Sequence, residues 1–319
     1  MGHLPKTRVF IDGQEGTTGL VLRERLARRA DVDLAALPER LRKDVSARRE
    51  QLNAADVVFL CLPDAAAMEA AGMVERKGVR VLDASTAHRV APGWVYGLPE
   101  LSAEHRSAVV SAERVAVPGC HATGFVALAA PLVAAGVLPP DYPVSAHSIT
   151  GYTGGGKRMI ADYEAPDRPA ALSGTRVYGL TLAHKHLPEM QKRTGLAGPP
   201  LFDPILGDFP RGMLVCVPLH ARLLNGGAGP ERVHEALADH YAGSRLIEVP
   251  PYDPQSLPDN GFLDPQALAG SDRMQLFVLG HREQMLLVAR LDNLGKGASG
   301  AAVQCFNLMM GAAEDEGLQ

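Results

Sequence analysis

Cysteine is scarce in this chain. There are four in 319 residues, Cys61, Cys120, Cys216 and Cys305. No two of them form a CxxC pair, and no Cys/His spacing matches a metal site, so neither a structural metal nor a redox pair is expected. An excess of one charge is also missing. Lys and Arg total 32 against 36 Asp and Glu, a net charge of −4. That balance offers no electrostatic footprint for nucleic acid or for a membrane surface. No apolar run reaches the ~18 residues a spanning helix needs without a charge or a Pro/Gly break. The first residues, MGHLPKTRVFIDG, pass almost directly into a strand-like run, with no apolar signal core and no cleavage pattern. These absences predict a soluble, cytoplasmic protein whose partner is a small molecule.

The length exceeds that of one ordinary core, so two domains are expected. RVFIDG (8–13) is a short apolar run ending in glycine, and a helix-like pattern follows with apolar positions at Leu20, Leu22 and Leu26. Between them lies GQEGTTG, whose Gly13, Gly16 and Gly19 are spaced GxxGxxG rather than GxGxxG. Glycines there let a backbone approach a pyrophosphate, and a helix N-terminus favours its charge; a plain tight turn is the simpler alternative. After the second strand, VDLAAL (32–37), Glu39 stands among Arg40, Arg42 and Lys43. Such a basic cluster favours a 2′-phosphate and hence NADP(H), against the alternative of a solvated helix start.

ADVVFLCLP (55–63) and VRVLDAS (79–85) read as buried parallel strands, separated by a helix that Gly78 closes. Strand and helix alternate throughout this half, which predicts an α/β, Rossmann-type doubly wound parallel sheet. Ligands sit beyond the carboxyl ends of such strands. STAHR (85–89) is placed there, so Ser85 and Arg89 become candidates for an anionic group, although an idle exposed arginine is nearly as good a reading.

PGCHATG (118–124) brings Cys120 to the start of an apolar helix pattern carrying Phe125, Leu128, Leu132 and Val133. Backbone N–H groups and the helix dipole stabilise a thiolate at that position, and the same donors can hold an oxyanion. The other three cysteines lie in strand-like or Ala-rich apolar runs and read as small buried hydrophobes. A nucleophilic thiol needs a base from elsewhere in the chain. His121 is adjacent, but neighbouring side chains at a helix start diverge. LAHKHLPEM (182–190) offers His184 or His186, with Glu189 three residues after the latter and able to orient it. SITGYTGGGKRM (148–159) is glycine-rich and basic. Its Gly154-Gly155-Gly156 and Lys157 could hold a carboxylate or phosphate; it lacks the P-loop ending, and a flexible hairpin is the alternative.

In order and spacing, FIDGQEGTTGL, YGLPEL, PGCHATG, GYTGGGK, HKHLPE and DNLGKGASGAAVQ resemble the motifs of the shorter-form N-acetyl-γ-glutamyl-phosphate reductases, of the semialdehyde dehydrogenase superfamily. The resemblance runs along nearly the whole chain. It implies an NADPH-dependent reduction of an acyl phosphate to an aldehyde in arginine biosynthesis, through a thioester on Cys120. It selects His186 as the base and Glu189 as its orienter. It implies a cofactor loop that includes Thr17 and Thr18, Asn293 near the nicotinamide, and substrate contacts at Arg89, His121, Gly155 and Lys157. The expected domains are 1–118 plus 297–319 for NADP(H), and 119–296 for catalysis and dimerisation in a glyceraldehyde-3-phosphate dehydrogenase-like α+β fold. A homo-oligomer, dimer or tetramer, follows from pairing through the second domain. The longer form carries a tyrosine after the cysteine where His121 stands here. Rival readings are an aspartate-semialdehyde dehydrogenase, a cofactor-binding regulator without catalysis, and a cysteine hydrolase.

Overall fold

The structure, a computed structural model, describes residues 6–319. It divides into two compact units. One runs to Pro118 and resumes over Ala298–Leu318; the other is Gly119–Gly297 with Gln319.

The first unit is built from β1 (Thr7–Asp12), α1 (Thr17–Ala27), β2 (Val32–Ala35), α2 (Val45–Ala54), β3 (Val57–Leu60), α3 (Asp64–Met73), β4 (Arg80–Asp83), β5 (Val95–Tyr96), α4 (Ala103–Ser111) and β6 (Arg114–Ala116). The sheet order is β2-β1-β3-β4-β6-β5, and every pair is parallel. Side chains alternate across a strand, so a sheet buried on both faces needs apolar residues at every position. Val9, Ile11, Val57 and Phe59 join Leu22 and Leu26 of α1, and the C-terminal helix Gly300–Met310 through Val303 and Phe306. Phe10, Val58 and Leu60 point the other way, to Leu52 of α2 and Ala70, Ala71 and Met73 of α3. Helices on both faces of a parallel sheet make the doubly wound arrangement that the alternating pattern predicts.

One helix is shorter than its sequence implies. α3 ends at Met73 and not at Gly78. Beyond it the amides of Glu75 and Arg76 donate to Asn53 Oδ1 at 2.7 and 2.8 Å, so a side chain from α2 captures the chain and turns it. Gly78 serves the following turn with φ +83°.

The second unit comprises α5 (Cys120–Ala134), β7 (Ser145–Thr150), α6 (Gly156–Glu164), β8 (Arg176–Val177), α7 (Leu187–Thr194), β9 (Leu201–Leu206), β10 (Met213–His220), α8 (Pro230–His240), β11 (Ile247–Glu248), β12 (Met274–His281) and β13 (Gln284–Leu291). Its mixed sheet has the order β11-β12-β13-β10-β7-β9-β8. β10, β12 and β13 form an antiparallel centre, and β7 runs parallel to β9. The GYTGGGK segment is neither a hairpin nor an open anion loop: it is one tight turn, Tyr152–Gly155, leading into α6.

α5 is apolar on nearly every side and buried along most of its length, which marks a central helix. It crosses β10 and β13 at Gly124, where a Cβ would fall 2.8 Å from Val215 Cγ2 and 3.1 Å from Ala289 Cβ. Glycine there lets the helix backbone rest on the sheet, and this contact sets the position of the first turn, where Cys120 lies.

Candidate functional site

Cys120 is the first residue of α5, with Gly119 as N-cap. It is half-buried, whereas Cys216 and Cys305 are buried. Burial pushes the Cys216 thiol up to about 12, and burial with the Asp83 and Asp12 carboxylates does the same to Cys61. Such thiols stay protonated and inert near neutral pH. Cys120 alone combines partial exposure with a helix N-terminus.

The turn ahead of it is braced from α7. Glu189, 1 % exposed, accepts a hydrogen bond from the Gly119 amide at 3.2 Å. His186 is the N-cap of α7 and Glu189 its third residue, so the two share one face of the first turn. The His186 amide donates to His184 Nδ1 at 3.2 Å. The rings of His184 and His186 meet edge-on at 4.7 Å, and both lie near His121, at 5.4 and 5.5 Å. Cys120, His186 and Glu189 therefore belong to one compact neighbourhood. His184, weighed in the sequence only as an alternative base, packs inside it.

His121 is buried and has both ring nitrogens engaged. Nδ1 lies 2.8 Å from Ser148 Oγ and Nε2 lies 2.8 Å from Tyr178 Oη. Burial, then the positive charges of His184 and Lys185, push its pKa down to about 3. The ring is neutral at physiological pH, so any substrate contact it makes is not that of a cation. Tyr178 is held above its ordinary range by burial and by the charge of Cys120.

Asn293, 1 % exposed, spends its amide inside this unit. Oδ1 accepts from the Gly212 amide at 3.0 Å, and Nδ2 donates to Thr153 Oγ1 at 3.1 Å. Thr153 in turn donates to the Pro210 carbonyl at 2.6 Å. Asn293 thus clamps the glycine turn to the 210–212 loop. Gly155 caps α6, and a Cβ there would meet Met159 Sδ at 2.3 Å. Lys157 is exposed. Gly297 carries a feature that motif reading missed: its Cα lies so close to Cys120 that a Cβ would sit 2.8 Å from Cys120 Cβ.

In the first unit a separate cavity of ≈ 520 Å³ is lined by Gly13, Glu15, Arg40, Arg42, Lys43 and Arg48 among others. Gly13 has φ +87°, and a Cβ on it would come within 2.3 Å of the Cys61 carbonyl oxygen. A Cβ on Gly19 would come within 2.4 Å of the Gly13 carbonyl oxygen. Only glycine fits either place, so the turn folds tightly under α1. Gly16 is the N-cap of α1; Thr17 and Thr18 form its first turn, and Thr17 Oγ1 is buried with no hydrogen-bond partner among the described residues. Arg48 donates through Nε and Nη2 to Asp12 Oδ2 at 3.1 and 2.9 Å, neutralising the carboxylate at the end of β1. Arg42 pairs with Glu15 at 3.1 Å. A glycine cradle, an orphaned hydroxyl at a helix N-terminus and a cation-lined cavity fit a dinucleotide.

Two other expected contacts are used internally. Ser85 donates through Oγ to Asp83 Oδ2 at 2.7 Å, and its amide donates to Oδ1 at 2.9 Å. Arg89, 7 % exposed, donates to the carbonyls of Val117 and Ala84 at 2.9 and 3.2 Å. Both residues organise the turn after β4. Among the described residues no group of three or more His, Cys, Asp or Glu side chains is arranged to hold a metal ion, and no helix is long and apolar enough to cross a membrane.

Two family models match. Residues 8–109 match the semialdehyde dehydrogenase NAD binding domain, and residues 120–293 match the semialdehyde dehydrogenase dimerisation domain. The N-acetyl-γ-glutamyl-phosphate reductase of Burkholderia lata is 50 % identical over 96 % of this chain and 97 % of its own. N-acetyl-γ-glutamyl-phosphate reductase 2 of a Nostoc species is 46 % identical over 98 % and 99 %. Among solved structures, aspartate semialdehyde dehydrogenase II of Vibrio cholerae superposes with a TM-score of 0.71, covering 96 % of this chain and 99 % of that one, at 17 % identity. That of Francisella tularensis gives 0.68, covering 95 % and 100 %, at 14 % identity. The structural likeness carries the two-domain fold, and the sequence likeness carries the closer relationship.

Proposed function

Because the chain belongs to the semialdehyde dehydrogenase family and, within it, to the N-acetyl-γ-glutamyl-phosphate reductases, we propose that it reduces N-acetyl-L-glutamyl 5-phosphate to N-acetyl-L-glutamate 5-semialdehyde and phosphate. It is an oxidoreductase of arginine biosynthesis that uses a nicotinamide cofactor. The observation that carries the chemistry is the placing of Cys120 at the first position of α5, with Glu189 on the preceding amide and a histidine cluster alongside.

Cys120 acts as the nucleophile. Its thiolate attacks the γ-acyl carbon, the C–S bond forms, the C–O bond to phosphate breaks, and inorganic phosphate leaves a thioester behind. N–H groups at the start of α5 stabilise the oxyanion of that step. The dinucleotide, when bound, supplies hydride to the thioester carbon. His186 then gives a proton to the developing alkoxide and takes it back as the carbonyl reforms and the C–S bond breaks. The aldehyde departs and Cys120 returns to thiolate. Glu189 keeps the His186 ring and the Gly119 turn in register. Asn293 and Gly155 hold the glycine turn in shape, and Lys157 is the cation available to the substrate's anionic groups.

Gly13, Gly16, Thr17, Thr18 and Gly19 hold the pyrophosphate, and Arg40 with Arg42 receives a 2′-phosphate, which makes the cofactor NADP(H). Arg42 is tethered by Glu15, so Arg40 is the better placed to move onto the phosphate. Arg40→Ala is expected to weaken NADPH binding about tenfold in a fluorescence titration while leaving NADH unchanged, the size of one charge-assisted phosphate contact. Equal losses for both cofactors would remove the assignment. A homo-oligomer in the cytoplasm completes the reading, supported by the match of residues 120–293 to a dimerisation domain.

The reaction is tested in reverse. N-acetylglutamate semialdehyde, phosphate and NADP should yield reduced cofactor, followed by absorbance, and omission of phosphate should stop it. Aspartate semialdehyde in its place should give little. A preference for aspartate semialdehyde would assign the chain's substrate to the other branch of the family.

A further inference from the structure

The loop that enters β10 carries a guanidinium whose donors are largely unspent. β10 begins at Met213, paired with Leu291 at the end of β13. Just outside that pair stand Arg211-Gly212 on one side and Asp292-Asn293 on the other. The 209–212 loop is fixed to the glycine turn by three backbone bonds: Tyr152 to Phe209 at 2.9 Å, Thr153 to Pro210 at 3.2 Å and Gly151 to Gly212 at 3.0 Å. Gly151 packs so tightly on it that a Cβ would fall 2.6 Å from the Pro210 carbonyl oxygen. The backbone of Arg211 is therefore held in place.

Its side chain is not. Arg211 Nη2 stands 2.7 Å from Asp292 Oδ2, and the side chain is 31 % exposed while that of Asp292 is fully buried. Yet Nε and Nη2 are shielded from solvent and neither has a hydrogen-bond partner among the described residues. The contact with Asp292 is thus one of charge, with the N–H groups aimed off the line to the oxygen. Asp292 does not depend on it. Its Oδ1 accepts from the Leu294 and Gly295 amides at 2.8 and 3.3 Å, and its Oδ2 accepts from the Gly270 amide. Buried donors of a charged group without an acceptor are rare in folded proteins and single out positions with a task. Turning this guanidinium towards a ligand gives up no hydrogen bond within the described residues.

The Asp292–Gly297 turn connects Arg211 to the thiol. Asp292 pairs with Arg211 through its carboxylate, and its carbonyl accepts from the Gly297 amide at 3.0 Å. Gly297 in turn lies against Cys120, with a built Cβ 2.8 Å from Cys120 Cβ. We propose that Arg211 is the specificity-determining residue that takes the substrate's α-carboxylate. The proposal rests on the reading of the substrate as an N-acetylglutamyl phosphate. A planar guanidinium fork matches a carboxylate with two parallel N–H bonds. Phosphate would fit the fork too, but Asp292 repels a dianion twice as strongly as a monoanion at the same place. The carboxylate also persists through both half-reactions, whereas phosphate departs after the first. Beside Lys157 on the exposed start of α6, Arg211 is a second cation, and the neutral His121 ring cannot replace it.

Running the reaction in reverse separates the possible ligands, because aldehyde and phosphate are then separate substrates. Two aldehydes are compared: N-acetylglutamate semialdehyde, and γ-acetamidobutyraldehyde, which lacks only the α-carboxylate. The wild type should favour the first strongly in kcat/KM. Arg211→Met is expected to lower kcat/KM for it by about 10²-fold, mostly through KM, the size of a charge-assisted bidentate contact. The same variant should leave γ-acetamidobutyraldehyde and the KM for phosphate nearly unchanged. A merely structural role would lower both aldehydes together. Arg211→Lys keeps the charge beside Asp292 and loses the fork, so it should show a smaller selective loss of about tenfold. Should Arg211→Met fail to fold, Arg211→Lys decides by the same ratio of aldehydes. Equal losses for the two aldehydes, or a loss confined to the KM for phosphate, overturn the proposal and leave the reaction standing. A wild type inactive on N-acetylglutamate semialdehyde overturns the reaction and the proposal with it.

Discussion

Cys120→Ser is expected to lower the phosphate-dependent reduction of NADP by at least about 10³-fold, to the limit of detection, with no loss of folded protein. The loss is large because the residue is asked to break one difficult step into two, and a serine hydroxyl near neutral pH supplies almost none of the anion that does so. The fold is unaffected for three reasons. Serine is nearly isosteric and keeps the Cβ against which Gly297 packs. It is well suited to the first turn of a helix, where its oxygen can accept from backbone N–H groups. The α5 contacts that seat the helix lie further along, at Gly124, Phe125 and Leu128. The comparison therefore requires matched melting curves and matched NADPH binding, with turnover as the one quantity that falls. Retention of more than a tenth of wild-type activity would mean that another group carries the acyl transfer. The remaining cysteines are poor substitutes, since burial holds Cys61 and Cys216 near 12.

The fold was legible where backbone geometry and composition speak together. β3 is a run of Val and Phe with no polar interruption, and only a strand buried on both faces needs that. The three glycines between β1 and α1 signalled a tight turn, and two of them have no room for a Cβ. Cys120 could be placed at a helix start because proline and glycine precede an apolar helical repeat. Helix ends were less accessible: α3 stops where Asn53 from α2 intercepts the chain, and no local pattern encodes a capture by a distant side chain. The inner working of the site was largely hidden. Ser148 sits on an alternating strand and so could be guessed to point inward, but Tyr178 lies on an irregular, polar stretch with no periodicity. Its meeting with His121 depends on a separation of 57 residues. Ser85 and Arg89 show the opposite limit. The sequence located them beyond a strand end, yet what their polar atoms bond to is a matter of loop closure, and both turned inward to Asp83 and to backbone carbonyls.

Gly297→Ala tests how tightly the sulfur is held. The glycine lies in the Gly295–Ser299 turn that follows Asp292 and Asn293. A methyl group built there would stand 2.8 Å from Cys120 Cβ, 3.3 Å from its Cα and 3.0 Å from the Asp292 carbonyl oxygen. Two of these three atoms belong to Cys120, and none is the far end of a flexible side chain. The backbone of Gly297 is not among the positive-φ positions, so alanine brings no conformational strain of its own and the collision is the whole effect. Asp292 is the less able to yield: it is fully buried and its carboxylate accepts from the Leu294 and Gly295 amides at 2.8 and 3.3 Å. The displacement therefore falls on Cys120, at the first position of a helix. A shift of several tenths of an ångström there misaligns the sulfur with the acyl carbon and with the N–H donors at once. Misplacement by ~1 Å costs about 10²-fold, and a loss of kcat in the range of about 10- to 100-fold is expected, with the KM for aldehyde changed far less. The cost to stability should stay near the ~1–3 kcal/mol of an overpacked site, seen as a melting temperature a few degrees lower. Wild-type kcat in this variant would show that the first turn of α5 tolerates movement, and that catalysis does not depend on the exact station of the thiol.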